Sequence, residues 1–543
     1  METVNVTTIE DSETITISRA EYTAQNARIQ KLTAELEKQE AYNSELERKL
    51  NWFIEQFYLN RNRRFGASSE ASSNEVCEQM SFLFDEPEAI AAQQEEEKGT
   101  PVKSYTRKKR SGSLRDITPD NITVEEVRHE LSEEERQCPK CGEVMTEIGT
   151  EAVDTLEFIP AKAIIHRDIY VHYACQNCKK NDVEVPIVEA PKEQYLLPGG
   201  FASSKAIAYI MVQKFVMYVP LYRQEQEWNR QGVMLSRQTL SDWFLLGAEL
   251  LTVVYTELHR VLLTMEILHA DETTLQVLHE PGRSAQTKSY MWLYMTGSAE
   301  ERQIILYEYQ AGRSASFPRA FLSGFSGYLQ TDGYSGYNDV EDVIHVGCWS
   351  HLRRKFDEAA KALPKDTKSG AAITGQAYCT KLFMKEREFQ QLSPEERYQK
   401  RLEQEKPLLD DLEAWAKTRA VGAKSKLGQA FSYLQNQWVQ LTNYLLDGRL
   451  AISNNRAERS IKPFVMGRKN FLFANTPRGA KASAVVYSLI ETAKVNELDP
   501  YQYLVYLLDQ IPKADQSCEG WIEPLLPWNA PADIHLTKQT AVQ

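Results

Sequence analysis

The spacing of apolar residues along this chain changes several times, and each change predicts a different element. Near the start, apolar side chains recur at alternating steps of three and four, which is the heptad pattern of a coiled coil. Asn43 takes a core position, where a polar residue costs stability but fixes register and strand number. We predict a coiled coil that joins at least two chains; the alternative is an amphipathic helix docked on its own protein. The seam consists of Ile29, Leu32, Leu36, Gln39, Asn43, Leu46, Leu50, Phe53 and Phe57.

Residues 66 to 120 lose this periodicity and read as a linker whose charge switches sign. An acidic run ends at EEEK, and the basic cluster KSYTRKKR follows at 103 to 110. Such a cluster could contact DNA phosphates, although a solvated tether is the favoured alternative.

The stretch from Pro220 to Thr252 predicts a helix, a short turn at Gln231-Gly232 and a second helix capped by Ser236. The spacing and the central glycine are similar to those of a helix-turn-helix. Arg237 and Gln238 would then open a recognition helix. A helical hairpin with a purely structural role is an equally good interpretation.

After this region the apolar period becomes two, which predicts a sheet. MEILHADETTLQVLH (265 to 279) reads as a strand in which Asp271 and Thr273 share a face and Glu272 points the other way. SYMWLYMTG and RQIILYEYQ predict two further strands, and GYLQTDGYSGYN predicts a strand that ends on Asp332. A short strand then leads into the basic helix of HVGCWSHLRRKFDEAAK, and residues 365 to 450 read as mostly helical.

Charge and composition narrow the classes of protein. The net charge of −13 over 543 residues argues against a general polyanion binder, yet residues 456 to 481 hold seven Lys or Arg and one acid, Glu458. The amino terminus has no signal-peptide pattern, and Gln213 and Lys214 interrupt the most apolar long stretch. We therefore expect a cytoplasmic protein without a membrane span.

Four of the eight cysteines form two close pairs, CPKC and CQNC. Two such turns can present four thiolates to one ion, so the spacing predicts a closed structural Zn²⁺ site. A redox CxxC and unligated thiols are the alternatives. The ligands would be Cys138, Cys141, Cys175 and Cys178.

Two strand-borne aspartates and a helix-borne glutamate could hold a pair of Mg²⁺ ions, because Mg²⁺ takes oxygen ligands and binds through a few carboxylates together with substrate phosphate. Asn455 lies three residues before Glu458, which predicts a capping box that starts the helix. In the alternative interpretation, Glu458 is only a favourable first-turn acid paired with Lys462.

Cys348 and His351 form a CxxH motif, and this pair alone offers too few ligands for a tetrahedral metal site. We favour a packing or DNA-positioning role over a ligand role. Arg353 and Arg354 follow on the same helix and are candidates for DNA contact, as are the cations around Glu458. Those cations are Arg456, Arg459, Lys462, Arg468 and Lys469.

The motif order is specific: a coiled-coil start, paired CxxC, PLYRQE with a glycine turn, then HADET, LQTDGYSGY, CWSHLRRKF and SNNRAERSIKPFVMGRKNFLF. Over nearly its full length the chain resembles the large (TnpC-type) transposase of insertion-sequence family sixty-six, of the DDE superfamily. The resemblance implies an RNase H-like α/β catalytic domain with a helical insertion before the final acid. Carried over by motif, the catalytic residues and Mg²⁺ or Mn²⁺ ligands are Asp271, Asp332 and Glu458.

The fold class expected is therefore multidomain α+β. The expected order is a coiled coil at 1–65, the linker at 66–120, a small zinc-binding β module at 121–195, a helix-turn-helix region at 196–262, the catalytic domain at 263–364 and 451–490 around the insertion at 365–450, and a C-terminal helical segment and tail at 491–543.

The resemblance implies an enzyme that binds the terminal inverted repeats of its element, cleaves the DNA to expose 3′-hydroxyls and joins them to target DNA. It would act as a homodimer or larger assembly, associated with the bacterial nucleoid when bound to DNA. Related elements often encode helper proteins. A DNA-binding regulator with a non-catalytic sheet domain and a ribonuclease H-type nuclease are the alternatives.

Overall fold

A computed structural model describes residues 3–6, 15–18, 20–35, 38–39, 163–169, 171–174, 187–189, 201–364, 367 and 369–536. The chain divides into two compact units, each drawn from two stretches of sequence. The first unit comprises Met1–Gly99 and Leu258–Val465. The second comprises Thr100–Glu257 and Met466–Gln543.

Nine strands are assigned in the described residues. They are β1 (Thr3–Val6), β2 (Ile15–Ser18), β3 (His172–Ala174), β4 (Ile187–Glu189), β5 (Ile267–Gln276), β6 (Lys288–Thr296), β7 (Ile305–Gln310), β8 (Gly327–Gln330) and β9 (Val343–Val346).

Helices make up most of the remaining described structure. They are α1 (Ser204–Phe215), α2 (Leu221–Arg230), α3 (Arg237–Leu262), α4 (Ser316–Phe321), α5 (Trp349–Lys361), α6 (Ala371–Glu388), α7 (Pro394–Lys400), α8 (Lys406–Lys417), α9 (Lys426–Asn436), α10 (Trp438–Thr442), α11 (Asn455–Phe471), α12 (Pro477–Val495) and α13 (Pro500–Gln510). A π-helical turn, Arg401–Glu405, joins α7 to α8. Short 3₁₀ turns lie at Ser335–Asp339, Asn443–Leu446, Ile511–Lys513, Glu523–Leu525, Pro527–Asn529 and Ala532–Ile534.

The first unit is built on a five-stranded mixed sheet in the order β7-β6-β5-β8-β9. The strands β5, β6 and β7 form an antiparallel meander, whereas β8 and β9 run parallel to β5. The strand β5 is central and is covered on both faces, since the successive residues Leu268, His269 and Ala270 are all buried. The predicted mixed α+β class and the predicted strands of the sheet are confirmed.

The predicted fourth strand ends earlier than expected. The strand β8 stops at Gln330, and Asp332 lies in the turn that follows. Gly333 adopts φ +90°, a left-handed conformation that glycine tolerates without strain. Asp332 Oδ1 accepts a hydrogen bond from Tyr334 N at 2.8 Å, and this local bond fixes the turn. The aspartate is therefore presented at the end of the strand.

The insertion between β9 and α11 is helical, as predicted, and shares one apolar core with α5. Phe356 of α5 packs in this cluster with Phe431 of α9, at 5.7 Å between ring centroids. Trp349 at the start of α5 donates its indole N–H to the Leu441 carbonyl at 2.7 Å. The insertion therefore supports the helix that carries the CxxH motif.

The second unit contains the predicted helical hairpin. The helix α2 ends at Arg230, Gly232 turns the chain with φ +83°, and α3 begins at Arg237. Ser236 Oγ accepts a hydrogen bond from Thr239 N at 3.1 Å, so the predicted cap is present. On α3, a Cβ at Gly247 would lie only 2.6 Å from Ile207 of α1, which explains why this mid-helix position is a glycine.

Other predicted modules are only partly described. Residues 20–35 and 38–39 are helical. Of the heptad seam, Ile29, Leu32 and Gln39 are described and exposed, and the other positions lie outside the described residues. Near the second cysteine pair, β3, which precedes it, pairs with β4, which follows it. In the part of the chain described, no helix is long and apolar enough to cross a membrane.

Candidate active site

Three separate elements carry the acids that the motifs single out. Asp271 lies in the central strand β5, Asp332 follows β8, and Glu458 lies in the first turn of α11. The strands β5 and β8 run parallel, and His269 opposite Gln330 is their last pair. Asp271 and Asp332 each lie two residues beyond this pair, so both follow the same end of the β5–β8 pairing.

The electrostatics of Asp271 bring the third acid into the same cluster. Burial raises the pKa of Asp271 well above its usual range, and the charges of Glu272, Asp332 and Glu458 raise it further. The backbone N–H of Glu272 donates to Asp271 Oδ1 at 2.9 Å and partly opposes this rise. The structure therefore brings Asp271, Asp332 and Glu458 together as a group of like charges.

Glu458 has one oxygen that is engaged and one that is not. Its Oε2 accepts a hydrogen bond from Arg354 Nη2 at 2.5 Å. Its Oε1 is buried without a hydrogen-bond partner, and His351 Nδ1, 3.6 Å away, is likewise buried and unpartnered. The interpretation of Glu458 as the salt-bridge partner of Lys462 is wrong, because the glutamate pairs with Arg354.

His351 occupies an unusual electrostatic setting. Burial lowers its pKa, but the neighbouring Cys348 sulfur and the carboxylates of Glu458 and Asp332 outweigh burial and raise the pKa to about 9. Cys348 is fully buried and accepts a hydrogen bond from Asn454 N at 3.2 Å. The CxxH motif is thus in direct contact with the acid cluster.

The start of α11 differs from the predicted capping box. The helix begins at Asn455, and Glu458 N donates to the Asn454 carbonyl at 3.2 Å. The Oδ1 atom of Asn455 is buried and has no partner, so it does not cap the helix. Glu458 does lie in the first turn as expected, but the residue that precedes the helix is Asn454.

Asn454 ties the start of α11 to the central strand. Its Nδ2 donates to the Ala270 carbonyl at 2.8 Å, directly before Asp271 in the chain. Its Oδ1 lies 2.9 Å from His269 Nδ1, which must be the donor because the amide oxygen can only accept. Burial lowers the pKa of His269 to about 4, so this imidazole is neutral at pH 7. One buried amide therefore holds two acid-bearing segments in register.

Glu272 is a residue of the site that sequence reasoning missed. Strand alternation does turn it away from Asp271, but the 3₁₀ turn Ser335–Asp339 and Arg313 cover that face. Its carboxylate accepts hydrogen bonds from Tyr337 Oη at 2.6 Å and from Arg313 Nε at 2.8 Å. Burial, followed by the charge of Asp332, raises its pKa. The two adjacent acids of HADET could have indicated this residue. Arg313 and Tyr337, the residues that bury Glu272, are distant in sequence.

Arg313 also reaches the loop that carries Asp332. Its guanidinium stacks 3.7 Å from the ring centroid of Tyr334, whose hydroxyl donates to the Arg313 carbonyl at 2.5 Å. Tyr433 Oη, from the insertion, donates to the Asp332 carbonyl at 2.7 Å. The position of Asp332 is therefore fixed from two sides.

The cations proposed for DNA contact in the first unit fall into two groups. Arg353 is buried, and Arg456 donates to the Thr296 carbonyl at 2.6 Å and to Gln303. Burial lowers the pKa of Arg456 to about 10. Arg353 is thus buried and Arg456 is hydrogen-bonded inside the unit, contrary to the expectation that they face DNA. Arg459 is exposed, whereas Lys462 is half-buried.

In the second unit, Arg237 and Gln238 are exposed at the first turn of α3, where Gln238 Nε2 donates to Asp242 at 2.9 Å. Lys469 is exposed near the end of α11. Arg468 is half-buried, and burial lowers its pKa. Three of these four side chains therefore lie on the surface of their unit.

The donor set of the acid cluster fits a divalent cation. Its members supply carboxylate oxygens, which Mg²⁺ and Mn²⁺ prefer. The partnerless Oε1 of Glu458 and the mutual repulsion felt by Asp271 are both features that a cation would relieve. The predicted zinc ligands Cys138, Cys141, Cys175 and Cys178 lie outside the described residues.

Comparisons with known proteins give a consistent result. The model of the "Transposase IS66 family" matches residues 199–482, and the "IS66 C-terminal element" matches residues 488–528. The "zinc-finger binding domain of transposase IS66" matches residues 135–179, and "Transposase C of IS166 homeodomain" matches residues 52–127. These matches support DNA as a partner and zinc as an ion of the finger region.

Relatives occur in Sinorhizobium fredii (strain NBRC 101917 / NGR234). The uncharacterized protein y4hP is 30% identical over 463 residues, which is 81% of this chain and 80% of the relative. The uncharacterized protein y4jD is 30% identical over 420 residues, or 74% of this chain and 80% of the relative. The model of the "Transposase IS66 family" spans more than half of this chain, so the chain belongs to the IS66 family of transposases.

Proposed function

We propose that this protein is a DDE-type transposase that cleaves DNA at the ends of its element and joins the 3′-ends to target DNA. The observation that carries the proposal is the clustering of Asp271, Asp332 and Glu458, whose like charges raise the pKa of Asp271. A site that gathers three carboxylates and leaves one oxygen without a partner is suited to divalent cations.

The proposed architecture of the catalytic domain is RNase H-like. The support is the sheet order β7-β6-β5-β8-β9, with an antiparallel meander followed by two parallel strands. The acids lie on the central strand, after the adjacent parallel strand and on a later helix. The helical insertion precedes that last helix, in agreement with the order that the motifs imply.

In the proposed mechanism, Asp271, Asp332 and Glu458 hold two Mg²⁺ or Mn²⁺ ions. When bound, such a pair activates the water or 3′-hydroxyl nucleophile and stabilises the leaving oxygen. Arg354 holds Glu458 through its Oε2, which leaves Oε1 without a hydrogen-bond partner. Asn454 keeps α11 in register with β5, and the Tyr334 and Tyr433 contacts hold the loop of Asp332. The protein thus contributes a preorganised set of anions.

DNA binding is assigned to the exposed polar residues of each unit. In the first unit these are Arg459 and the partly exposed Lys462, with Arg354 beside the acids; in the second they are Arg237, Gln238, Lys469 and the partly exposed Arg468. Replacing Lys469 and Arg459 by Ala should reduce the slope of log K against log salt by about 0.9 for each phosphate that the protein no longer neutralises. Lys406→Ala, in the insertion, is the matched control.

The remaining proposals concern assembly. The exposed Ile29 and Leu32 are consistent with a seam that joins chains, and the four cysteines of the finger region would hold one structural Zn²⁺. Deleting residues 1 to 60 should lower the number of chains per particle, as measured by light scattering. We also propose that helper proteins encoded by the same element take part in transposition.

The decisive experiment incubates the purified chain with labelled element-end DNA and Mg²⁺. We expect nicks that expose 3′-hydroxyls, followed by joined products, and no product with Glu458→Gln, which keeps size and hydrogen-bonding capacity. DNA affinity and circular dichroism should be unchanged in this variant. Activity of Glu458→Gln within a few-fold of wild type would refute the assignment, whereas cleavage only of an RNA/DNA hybrid would indicate a ribonuclease.

A further inference from the structure

A second kind of metal site lies beside the acid cluster. Cys348 precedes α5, His351 lies in its first turn, and Glu458 lies in the first turn of α11. One donor atom from each of these residues lies within 4.8 Å of the other two. The sequence offered only the cysteine and the histidine, so the glutamate is the ligand that the fold adds.

We propose that Cys348, His351 and Glu458 form a binding site for a thiophilic transition-metal ion, above all Zn²⁺, and that Zn²⁺ bound there takes Glu458 away from the catalytic Mg²⁺. The binding part of this proposal stands on geometry alone. The inhibitory part rests on the proposed function of Glu458.

The separation of the donors suits a tetrahedral ion. Two ligands that each lie about 2.1 Å from a tetrahedral zinc are about 3.4 Å apart. His351 Nδ1 and Glu458 Oε1 are 3.6 Å apart, so a small adjustment would accommodate the ion. Both atoms are buried and lack a hydrogen-bond partner, which is a costly state for polar groups unless something fills the gap between them.

The chemistry of the three ligands selects the ion. Mg²⁺ prefers oxygen donors alone, whereas one sulfur, one nitrogen and one oxygen form a set that suits Zn²⁺. Three protein ligands leave a fourth position open, which distinguishes this arrangement from the closed four-cysteine site expected in the finger region. Zn²⁺ would therefore bind here reversibly and exchange with the solution.

Neighbouring groups already orient the ligands. Asn454 N donates to Cys348 Sγ at 3.2 Å, and Arg354 Nη2 holds Glu458 Oε2, leaving Oε1 for the ion. Partners of this kind typically strengthen metal sites. Coordination through Nδ1 leaves the proton of His351 on Nε2. Binding of the ion would then break the 3.3 Å hydrogen bond between Nε2 and Arg354 Nη1.

The experiment measures zinc directly in the full-length chain. Wild type, Cys348→Ser, His351→Gln and the control Cys379→Ser are equilibrated with Zn²⁺, and zinc per chain is determined by mass spectrometry. Cys379 is a suitable control because it is a buried thiol in α6, outside this cluster. We expect wild type and Cys379→Ser to bind one more zinc than the other two variants. With Co²⁺ as the probe, Cys348→Ser and His351→Gln should show a weaker sulfur-to-cobalt absorption band than wild type.

Equal zinc in all four proteins would overturn the proposal. If Cys348→Ser fails to fold, as judged by circular dichroism, the count for His351→Gln decides. The inhibitory part is tested by titrating Zn²⁺ into the Mg²⁺-dependent cleavage reaction. Half-inhibition should require at least about tenfold more Zn²⁺ in His351→Gln than in Cys379→Ser, because removing a ligand weakens metal affinity. Equal inhibition would refute this part, and absence of cleavage in wild type would count against the proposed function while leaving the zinc count decisive.

Discussion

The first unit contains two clusters of buried charge that differ in how their charges are satisfied. In the insertion, Arg401 is fully buried and uses every donor of its guanidinium. It binds both oxygens of Glu386, at 2.6 and 2.7 Å, and the carbonyls of Tyr444, Asp447 and Leu450. A cation held by one carboxylate and three carbonyls is complete and has no capacity for a further ligand.

The cluster at the end of the sheet is incomplete by the same measure. It gathers Asp271, Asp332 and Glu458 beside two cations, Arg354 and the protonated His351, and Glu458 Oε1, 3.6 Å from His351 Nδ1, accepts no hydrogen bond. The comparison shows that burial of charge does not by itself mark a functional site. An arginine whose donors are all used stabilises the fold, whereas mutually repelling carboxylates with an oxygen that accepts no hydrogen bond can receive an ion.

The largest effect that would sharpen this contrast is expected from Asp271→Asn. Strand cleavage should fall by at least about a thousandfold, since the two bound Mg²⁺ ions would supply several kcal/mol of transition-state stabilisation. Without metal, the free energy of unfolding at pH 7 should instead rise, because the raised pKa of Asp271 means that its charge is unfavourable in the folded state. Thermal unfolding with and without Mg²⁺ checks this, and stabilisation by Mg²⁺ equal to that of wild type would contradict it.

Breaking the Arg401 cluster of the insertion should lower the free energy of unfolding. Arg401→Met leaves Glu386 buried without its cation and is expected to lower the free energy of unfolding by about 3–5 kcal/mol. Denaturant unfolding followed by circular dichroism measures the loss. The exposed pair Lys406–Asp410 provides the control, because Lys406→Ala should change stability by less than about 0.5 kcal/mol. Equal effects of the two substitutions would show that the insertion cluster is not structural.

A smaller effect on cleavage is expected from Asn454→Ala. This change removes the bonds to His269 and to the Ala270 carbonyl, so the acids should lose their alignment and cleavage should fall by about 10–100-fold. The concentration of Mg²⁺ needed for half-maximal rate should rise, which a loss of global stability alone would not produce. Asn455→Ala, which removes an amide oxygen that has no partner, should change the rate by only a few-fold. Matching losses in the two variants would argue against a positioning role.

The smallest effect concerns Glu405, whose Oε2 accepts a hydrogen bond from Tyr444 Oη and whose Oε1 lacks a hydrogen-bond partner. Burial raises the pKa of Glu405 to about 8. Between about pH 4.5 and about pH 8 the carboxyl is therefore protonated in the folded state and ionised in the unfolded chain. Stability should therefore decline as pH rises from about 4.5 to about 8. Glu405→Gln should flatten this decline and raise the free energy of unfolding at pH 8. Thermal unfolding between pH 5 and pH 8 checks the slope, and an unchanged slope would mean that Glu405 does not titrate in this range.

Local pattern alone determined much of this protein. The period of two across 265 to 310 predicted β5, β6 and β7, and the helix-rich composition predicted the insertion. The glycine turn and Ser236 predicted the helical hairpin, including its cap. These features follow from the geometry of neighbouring residues in a strand, a turn or a helix, so a short window of sequence contains the information. The motifs also identified the family.

Tertiary structure decided the contacts of the site. Asn454 meets His269 across 185 positions, and Glu458 meets Arg354 across 104. No local period encodes such pairs, since they arise when separate elements pack. For this reason the sequence assigned the cap to Asn455, turned Glu272 away from the site and left Cys348 and His351 without a third ligand. Packing of the sheet, α5 and α11 brings these residues together, because each element must bury its apolar face against the others.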